Sequence, residues 1–176
     1  MIVRRNRNSL FPLFILIFGL GLAGGSACSE TAIETEPGTA VGNYAPVFEA
    51  PITSGDTIKL DDLRGSGVVV NFWSTWCPPC VKELPLLDST AKNHLADSLV
   101  VIAVNMGDSE EEINDFLADM SLEFPVAIDS LGKVSREYQV AALPVTFFID
   151  RDGVIQYKRT GELTEADVAN GLDSIL

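Results

Sequence analysis

The pentapeptide Trp76-Cys77-Pro78-Pro79-Cys80 places two thiols three positions apart, directly after the apolar run Val68-Val69-Val70-Asn71-Phe72-Trp73 and before a helix-like segment. A strand that hands its first cysteine to a helix N-terminus leaves that sulfur among backbone N–H groups and the positive end of the helix dipole, which favour a thiolate. The second cysteine then lies one turn along. Thiol–disulfide exchange passes through a mixed disulfide that a neighbouring thiolate must cleave, so one sulfur can attack and the other can resolve. The pattern predicts a dithiol redox site.

Cysteine counting narrows the alternatives. The chain has three cysteines, and the third, Cys28, stands in a segment that looks like a processing site. A structural zinc site needs about four ligands, and beyond the pair there remain only Cys28 and the single histidine, His94. No metal and no cofactor are expected. A purely structural bridge between Cys77 and Cys80 would close so small a loop that it constrains the unfolded chain little.

Arg4, Arg5 and Arg7 precede the uncharged stretch Leu10 to Ala23, and the small residues Gly24-Gly25-Ser26-Ala27 lead to Cys28. This is a secretory signal pattern. The apolar stretch is 14 residues, shorter than the roughly 20 that span a bilayer, and Pro12, Gly19 and Gly21 interrupt it. Ala27-Cys28 resembles a bacterial lipoprotein cleavage site, in which the cysteine is lipidated, although Gly25 stands where such sites usually carry leucine. Three readings follow: lipidation at Cys28, ordinary cleavage near Ala27, or an uncleaved short anchor. Each places the working domain in an extracytoplasmic space, and the first and third attach it to the cell membrane. Loss of the first 27 residues removes three arginines and no acid, taking the formal charge from −13 to −16. Such a surface repels nucleic acid and anionic lipid, so nucleic-acid binding is not expected.

Ser29 to Gly42 is small, acidic and punctuated by Pro37-Gly38, without an apolar period. Residues 1–27 are therefore read as signal peptide or anchor, 28–42 as a flexible linker and 43–176 as one domain with enough apolar content for one core. Within it, Val68 to Trp73, Val100 to Asn105, Val145 to Asp150 and Val154 to Lys158 read as strands, with Val126 to Asp129 as another short one. The first two are apolar almost throughout, as buried parallel strands are. Pro79 to Leu95 puts Leu84, Leu87, Ala91 and Leu95 on one helical stripe. Ser109 with Glu112 makes a capping-box pattern opening a helix over Glu110 to Met120, and Thr164 with Asp167 opens a C-terminal helix in a similar way. Arg151-Asp152-Gly153 reads as a hairpin connection, so the last two strands should be antiparallel neighbours.

This order of elements, with Trp-Cys-Pro-Pro-Cys after a strand, Pro85 five residues after Cys80 and Leu143-Pro144-Val145-Thr146 before another strand, resembles the thioredoxin fold. More narrowly, Asn71 to Cys77, Lys82-Glu83-Leu84-Pro85, Pro144 to Phe148 and the extra helix near Ser109 to Met120 resemble the membrane-anchored TlpA/ResA-like thiol-disulfide oxidoreductases of the bacterial envelope. The resemblance covers Val41 to Leu176 and extends to the redoxin, or AhpC/TSA-like, domain. It implies an α/β class domain, three layers α/β/α around a mixed central sheet, with an extra N-terminal hairpin and an inserted helix. It also implies an enzyme that keeps apocytochrome c or other envelope proteins reduced and is re-reduced by a membrane thiol transporter. Cys77 would be the attacking thiol, Cys80 the resolving one, the pair forming a redox disulfide. Pro144 would be cis and lie opposite the dithiol, with Leu143 and Trp76 also meeting substrate; without the resemblance, Pro144 is a proline at a strand start.

Cytosolic thioredoxins resemble one another in carrying a buried aspartate six residues before the first cysteine, where this chain has Asn71. Asparagine cannot carry the proton. Glu83, three residues after Cys80, shares nearly its helical face, and the resemblance makes it part of the active site. Read alone, a helix glutamate beside Lys82 is an ordinary surface residue. If buried, it would have a raised pKa and could exchange a proton with Cys80. Pro78 and Pro79 have no N–H, so the Cys77 thiolate draws on fewer donors, chiefly those of Cys80 and Val81, which favours the disulfide form and predicts a reductant; the plainer reading is that they stiffen the turn. Pro85 should kink its helix. Trp76 is expected to be exposed beside Cys77, Phe72 and Trp73 to be core, and His94 to be an unpaired surface residue.

Three rivals remain on the sequence. One is a thiol peroxidase of the peroxiredoxin type, whose usual pattern sets proline seven residues and threonine or serine three residues before the cysteine; Ser74 fits and Val70 does not. Another is a noncatalytic binding module that chaperones a metal or haem precursor. The third is a periplasmic disulfide oxidant.

Overall fold

The fold was described from a computed structural model covering residues 37–176. The expected signal or anchor, Cys28 with its lipidation, and the linker before Pro37 lie outside the described residues. In chain order the elements are β1 (Glu49–Pro51), β2 (Thr57–Lys59), β3 (Gly67–Trp73), α1 (Pro78–Asn93), β4 (Leu99–Met106), α2 (Glu110–Leu117), β5 (Val126–Asp129), α3 (Lys133–Glu137), β6 (Val145–Ile149), β7 (Ile155–Thr160) and α4 (Glu165–Ile175). Five strands form one sheet in the order β5-β4-β3-β6-β7. β3 and β5 run parallel to β4, while β6 is antiparallel to both β3 and β7, so the sheet is mixed.

β3 is central and buried at every residue, which is why its sequence is apolar without alternation. Its side chains still alternate between two cores. Val69 and Trp73 enter the core filled by Leu84 and Leu87 of α1, Ile113 of α2, and Val168 and Leu172 of α4. Val68, Val70 and Phe72 enter the opposite core, with Phe48, Leu60, Val134 of α3 and Tyr138. Two covered faces give the three-layer α/β/α arrangement, and both Phe72 and Trp73 are core, as expected.

Both capping boxes form: the Ser109 and Thr164 side chains accept from the N–H of Glu112 and Asp167, whose carboxylates return to the cap N–H groups. α2 ends at Leu117 rather than Met120. The Arg151-Asp152-Gly153 connection joins antiparallel β6 and β7, with Gly153 at φ +83° and the Arg64 guanidinium occupying the space a Cβ would take. α1 runs through Pro85 as one helix.

Two elements have no local sequence pattern, and of these only the hairpin was expected, from the resemblance. The β1–β2 hairpin consists of two three-residue strands. α3 has five residues and no apolar period; its first-turn N–H groups at Val134 and Ser135 are satisfied by the Asp129 carboxylate at the end of β5. The linker reading of residues 28–42 also meets a correction at its end. Gly38 N–H donates to Tyr44 O and Gly42 N–H to Ile155 O at the start of the edge strand β7, so Pro37 to Gly42 is tied to the domain. Edge-strand backbone groups need partners, a demand that composition does not reveal.

α4 packs against β6 at Gly171, where a Cβ would come 2.4 Å from the Phe148 ring. Overpacking costs about 1–3 kcal/mol, of which the better helix propensity of alanine offsets up to about 1. Gly171→Ala is therefore expected to lower the thermal midpoint in a circular dichroism melt, and an unchanged midpoint would contradict this packing.

Candidate active site

Cys77 and Cys80 form a disulfide with an S–S distance of 2.03 Å and a Cα–Cα distance of 5.3 Å. β3 ends at Trp73, a short turn follows, and Cys77 is the N-cap of α1 in extended backbone conformation. The donors around its sulfur are few. Cys77 N–H is committed to Ser74 O, Pro78 and Pro79 have none, and Val81 N–H donates to Cys77 O at 3.1 Å. Of the pair expected from the sequence, then, only Cys80 keeps a first-turn N–H for a thiolate, because Val81 already closes the first helical bond. Cys77 retains 5% of its surface and Cys80 none, whereas Trp76 is 65% exposed. A partner can therefore reach Cys77 and not Cys80.

The turn before Cys77 is held by a residue the sequence did not point to. Asp108, just past the end of β4 and buried, accepts on Oδ2 from Ser74 Oγ (2.8 Å), Thr75 N–H (2.8 Å) and Asn105 Nδ2 (2.9 Å). Its burial would raise the pKa, but these donors prevail and hold the carboxyl below its usual range. Ser74 Oγ is thereby committed to Asp108 and is not free to serve the sulfur.

One turn below Cys80, Glu83 is 2% exposed, so the surface reading does not hold. Its Oε1 accepts from Asn71 Nδ2 and its Oε2 from Leu163 N–H, each at 2.7 Å. Asn71 Nδ2 also donates to Thr146 Oγ1 at 2.9 Å; Asn71 and Thr146 are register partners on β3 and β6. Asn71 faces α1 because it shares the pleat side of Val69 and Trp73. Burial raises the Glu83 pKa most, the Leu163 and Asn71 donors pull it down, and nearby Glu162 raises it further. The net shift is upward. Glu162 is paired with Lys82 at 2.5 Å on the surface.

The Leu143–Pro144 peptide is cis. Half-buried Leu143 packs against the core that contains both cysteines, and Pro144 O accepts from Gly161 N–H at 2.9 Å. His94 lies apart from this group and is paired rather than alone, its Nδ1 standing 2.9 Å from Asp97 Oδ2. Asp108, Thr146 and Leu163 N–H were missed from the sequence because each reaches the site from a distant element. Only Thr146 had a nearby signal, in the Pro144-Val145-Thr146 segment.

The chemistry these groups support is two-electron exchange between the cysteine pair and another disulfide, performed on a thioredoxin fold by thiol-disulfide oxidoreductases. Residues 41–158 match the AhpC/TSA family, and the chain belongs to it. It is similar to a thiol-disulfide oxidoreductase ResA of Bacillus cereus, with 34% identity over 173 residues, 98% of this chain and 99% of that one. Among solved structures, a chain from Chlorobium tepidum described as a DsbE thiol:disulfide interchange protein aligns with a TM-score of 0.71 and 32% identity, covering 76% of this chain and 95% of its own. The pneumococcal exposed lipoprotein thioredoxin Etrx1 of Streptococcus pneumoniae aligns at 0.67 and 28%, covering 74% and 100%. The enzyme is a thioredoxin-like thiol-disulfide oxidoreductase.

Two outcomes follow from this geometry. Pro79→Ala restores a donor near the Cys77 sulfur; a hydrogen bond to a charged group is worth about 1.5–3 kcal/mol, and about 30 mV corresponds to 1.4 kcal/mol in a two-electron couple. The variant is expected to have a potential more positive by roughly 30 mV in a glutathione redox titration, and an unchanged value would deny the donor argument. The second concerns Glu83. An acid with a raised folded pKa binds its proton more tightly in the native state, so its contribution to stability is present at low pH and lost as pH rises from the unfolded carboxyl range through the folded value. Denaturant unfolding of the oxidised protein at stepped pH should show this decline, and Glu83→Gln should lack it.

Proposed function

We propose that this enzyme reduces disulfides in proteins of the cell envelope, apocytochrome c among them, and is re-reduced by a membrane thiol transporter. Its N-terminus holds it to the outer side of the cell membrane, through a lipidated Cys28 or through the apolar stretch Leu10 to Ala23. The lipoprotein description of Etrx1 supports that placement. The observation that carries the reading is the unequal burial of the two sulfurs beside a projecting Trp76. Exposed Trp76 and half-buried Leu143, with the buried Pro144 beside it, receive the substrate polypeptide.

In the reduced enzyme the Cys77 thiolate attacks one sulfur of the substrate disulfide. A Cys77–substrate bond forms, the substrate S–S bond breaks, and the departing thiolate takes a proton. Cys80 Sγ–H then gives its proton to the Glu83 carboxylate, and the Cys80 thiolate attacks Cys77 Sγ. The Cys77–Cys80 bond forms and the second substrate sulfur leaves as a thiolate, to be protonated by solvent. Two electrons pass from the dithiol to the substrate disulfide. The scarcity of N–H donors at Cys77 destabilises its thiolate and drives this direction rather than oxidation.

Membership of the AhpC/TSA family favours one second reading, a thiol peroxidase. Commitment of Ser74 Oγ to Asp108 argues against it. Cys80→Ser is expected to accumulate covalent adducts with envelope proteins carrying cysteine pairs, resolved by mass spectrometry after acid quenching, while Cys77→Ala loses both adducts and insulin reduction. Hydrogen peroxide consumption with no insulin reduction by the native enzyme would replace the proposal with the peroxidase reading.

A further inference from the structure

The proton-carrying part of the site contains a group that its present hydrogen bonds leave half used. Asn71 Oδ1 is buried and has no hydrogen-bond partner, although both protons of Nδ2 are engaged, by Glu83 Oε1 and Thr146 Oγ1. An unpartnered amide oxygen in a fully buried strand is costly, because it has given up water without replacement. The orientation is nevertheless the right one for a charged Glu83. Both carboxylate oxygens then accept, from Asn71 Nδ2 and from Leu163 N–H.

A neutral Glu83 makes the opposite demand. Its new O–H is a donor that needs an acceptor, and an N–H pointing at it supplies none. Asparagine carries both functions at the ends of one planar group, and a half turn about χ2 exchanges them. After that turn Oδ1 can accept from Glu83 O–H and from Thr146 Oγ1–H at once, since a hydroxyl either donates or accepts. The amide N–H2 then gives up its bonds to Glu83 and Thr146 and occupies the place where Oδ1 lacked a partner, a cost that the two bonds gained by Oδ1 offset only when Glu83 is neutral. An aspartate at this position would answer both states only by carrying a proton itself.

We propose that Asn71 is the positioning residue of the proton relay: its amide presents Nδ2 to the charged Glu83 carboxylate and reverses to present Oδ1 when that carboxyl holds the proton from Cys80, with Thr146 Oγ1 serving both orientations. The inference rests on the reading of Glu83 as the proton acceptor for Cys80. Glu83 is met by Asn71 Nδ2 from β3, itself bonded to Thr146 of β6, and by Leu163 N–H from the β7–α4 turn, with Glu162 of that turn nearby and paired to Lys82; Cys80 stands three residues before it on α1. Asn71 moves no proton itself and changes no bond order; it matches its hydrogen bonds to a proton that leaves Sγ and arrives on a carboxylate oxygen.

The test is nuclear magnetic resonance of the reduced, isotopically labelled full-length chain in detergent micelles, following the Asn71 side-chain amide, the Thr146 methyl and the Glu83 carboxyl carbon against pH. The expected result is an amide resonance that titrates with the Glu83 midpoint, and an Nδ2-to-Thr146 methyl cross-peak that is present above that midpoint and lost below it. In Glu83→Gln both should be independent of pH. A cross-peak that persists on both sides of the midpoint overturns the inference. Asn71→Leu and Asn71→Ala provide a kinetic check, because neither can offer an N–H to the charged carboxylate. Each is expected to move the pH profile of single-turnover reduction of an aromatic disulfide to higher pH and to slow it on the order of tenfold at neutral pH, a part of what general acid–base catalysis supplies. Profiles like that of the native enzyme in both variants would also overturn it. Should Glu83→Gln leave the native pH profile intact, the assignment of Glu83 itself fails, whereas a shifted Glu83→Gln profile with a stationary Asn71 amide removes Asn71 alone.

Discussion

A carboxyl group buried under a disulfide is the constraint around which this structure is arranged. Glu83 loses its water, and a buried carboxylate without hydrogen bonds is among the least tolerable groups a core can hold. Two donors answer it, Asn71 Nδ2 from the central strand and Leu163 N–H from the turn before α4, and together they tie α1, β3 and the C-terminal end of the chain to one point. Thr146 extends the tie to β6. None of these donors is a cation, so the charge is tolerated without being neutralised. That balance leaves the carboxyl able to take up a proton.

The same scarcity of donors governs the sulfurs. Helix N-termini ordinarily favour thiolates by leaving several N–H groups free. Here two prolines, the Ser74 carbonyl and the first helical bond remove all but that of Cys80 from the first turn. Asp108 fixes the turn that precedes Cys77, and its negative charge is committed to Ser74, Thr75 and Asn105. The Cys77 sulfur is therefore placed firmly and has few donors to stabilise it as a thiolate, which supports the proposed role as a donor of electrons.

Much of the architecture was legible because its causes are local. β3 announces itself as seven residues buried on both faces, and α2 and α4 by capping boxes whose partners lie three residues apart. α3 was not legible and the β1–β2 hairpin only through the resemblance, since their hydrogen bonds and burial come from neighbours outside the elements themselves. The Asp129 carboxylate accepts from the first N–H groups of α3, and Thr53 N–H in the hairpin donates to Val126 O. The Pro37 to Gly42 segment looked like a tether for the same reason, its partners being backbone groups of β7 and Tyr44.

By itself the amino-acid sequence determined the dithiol, its place at a strand-to-helix junction, the exposure expected of Trp76 and the pairing of β6 with β7, because spacing, proline, glycine and capping act within a few residues. The resemblance of its motifs to known oxidoreductases points further, to Glu83 among others. Tertiary structure alone decided that Glu83 is buried, that Asn71 and Leu163 hold it, that Ser74 belongs to Asp108 and that Val81 has no free donor. The contacts of Glu83 and Ser74 depend on which residues packing brings together across 12, 80 and 34 positions of chain, and no short-range pattern encodes such meetings.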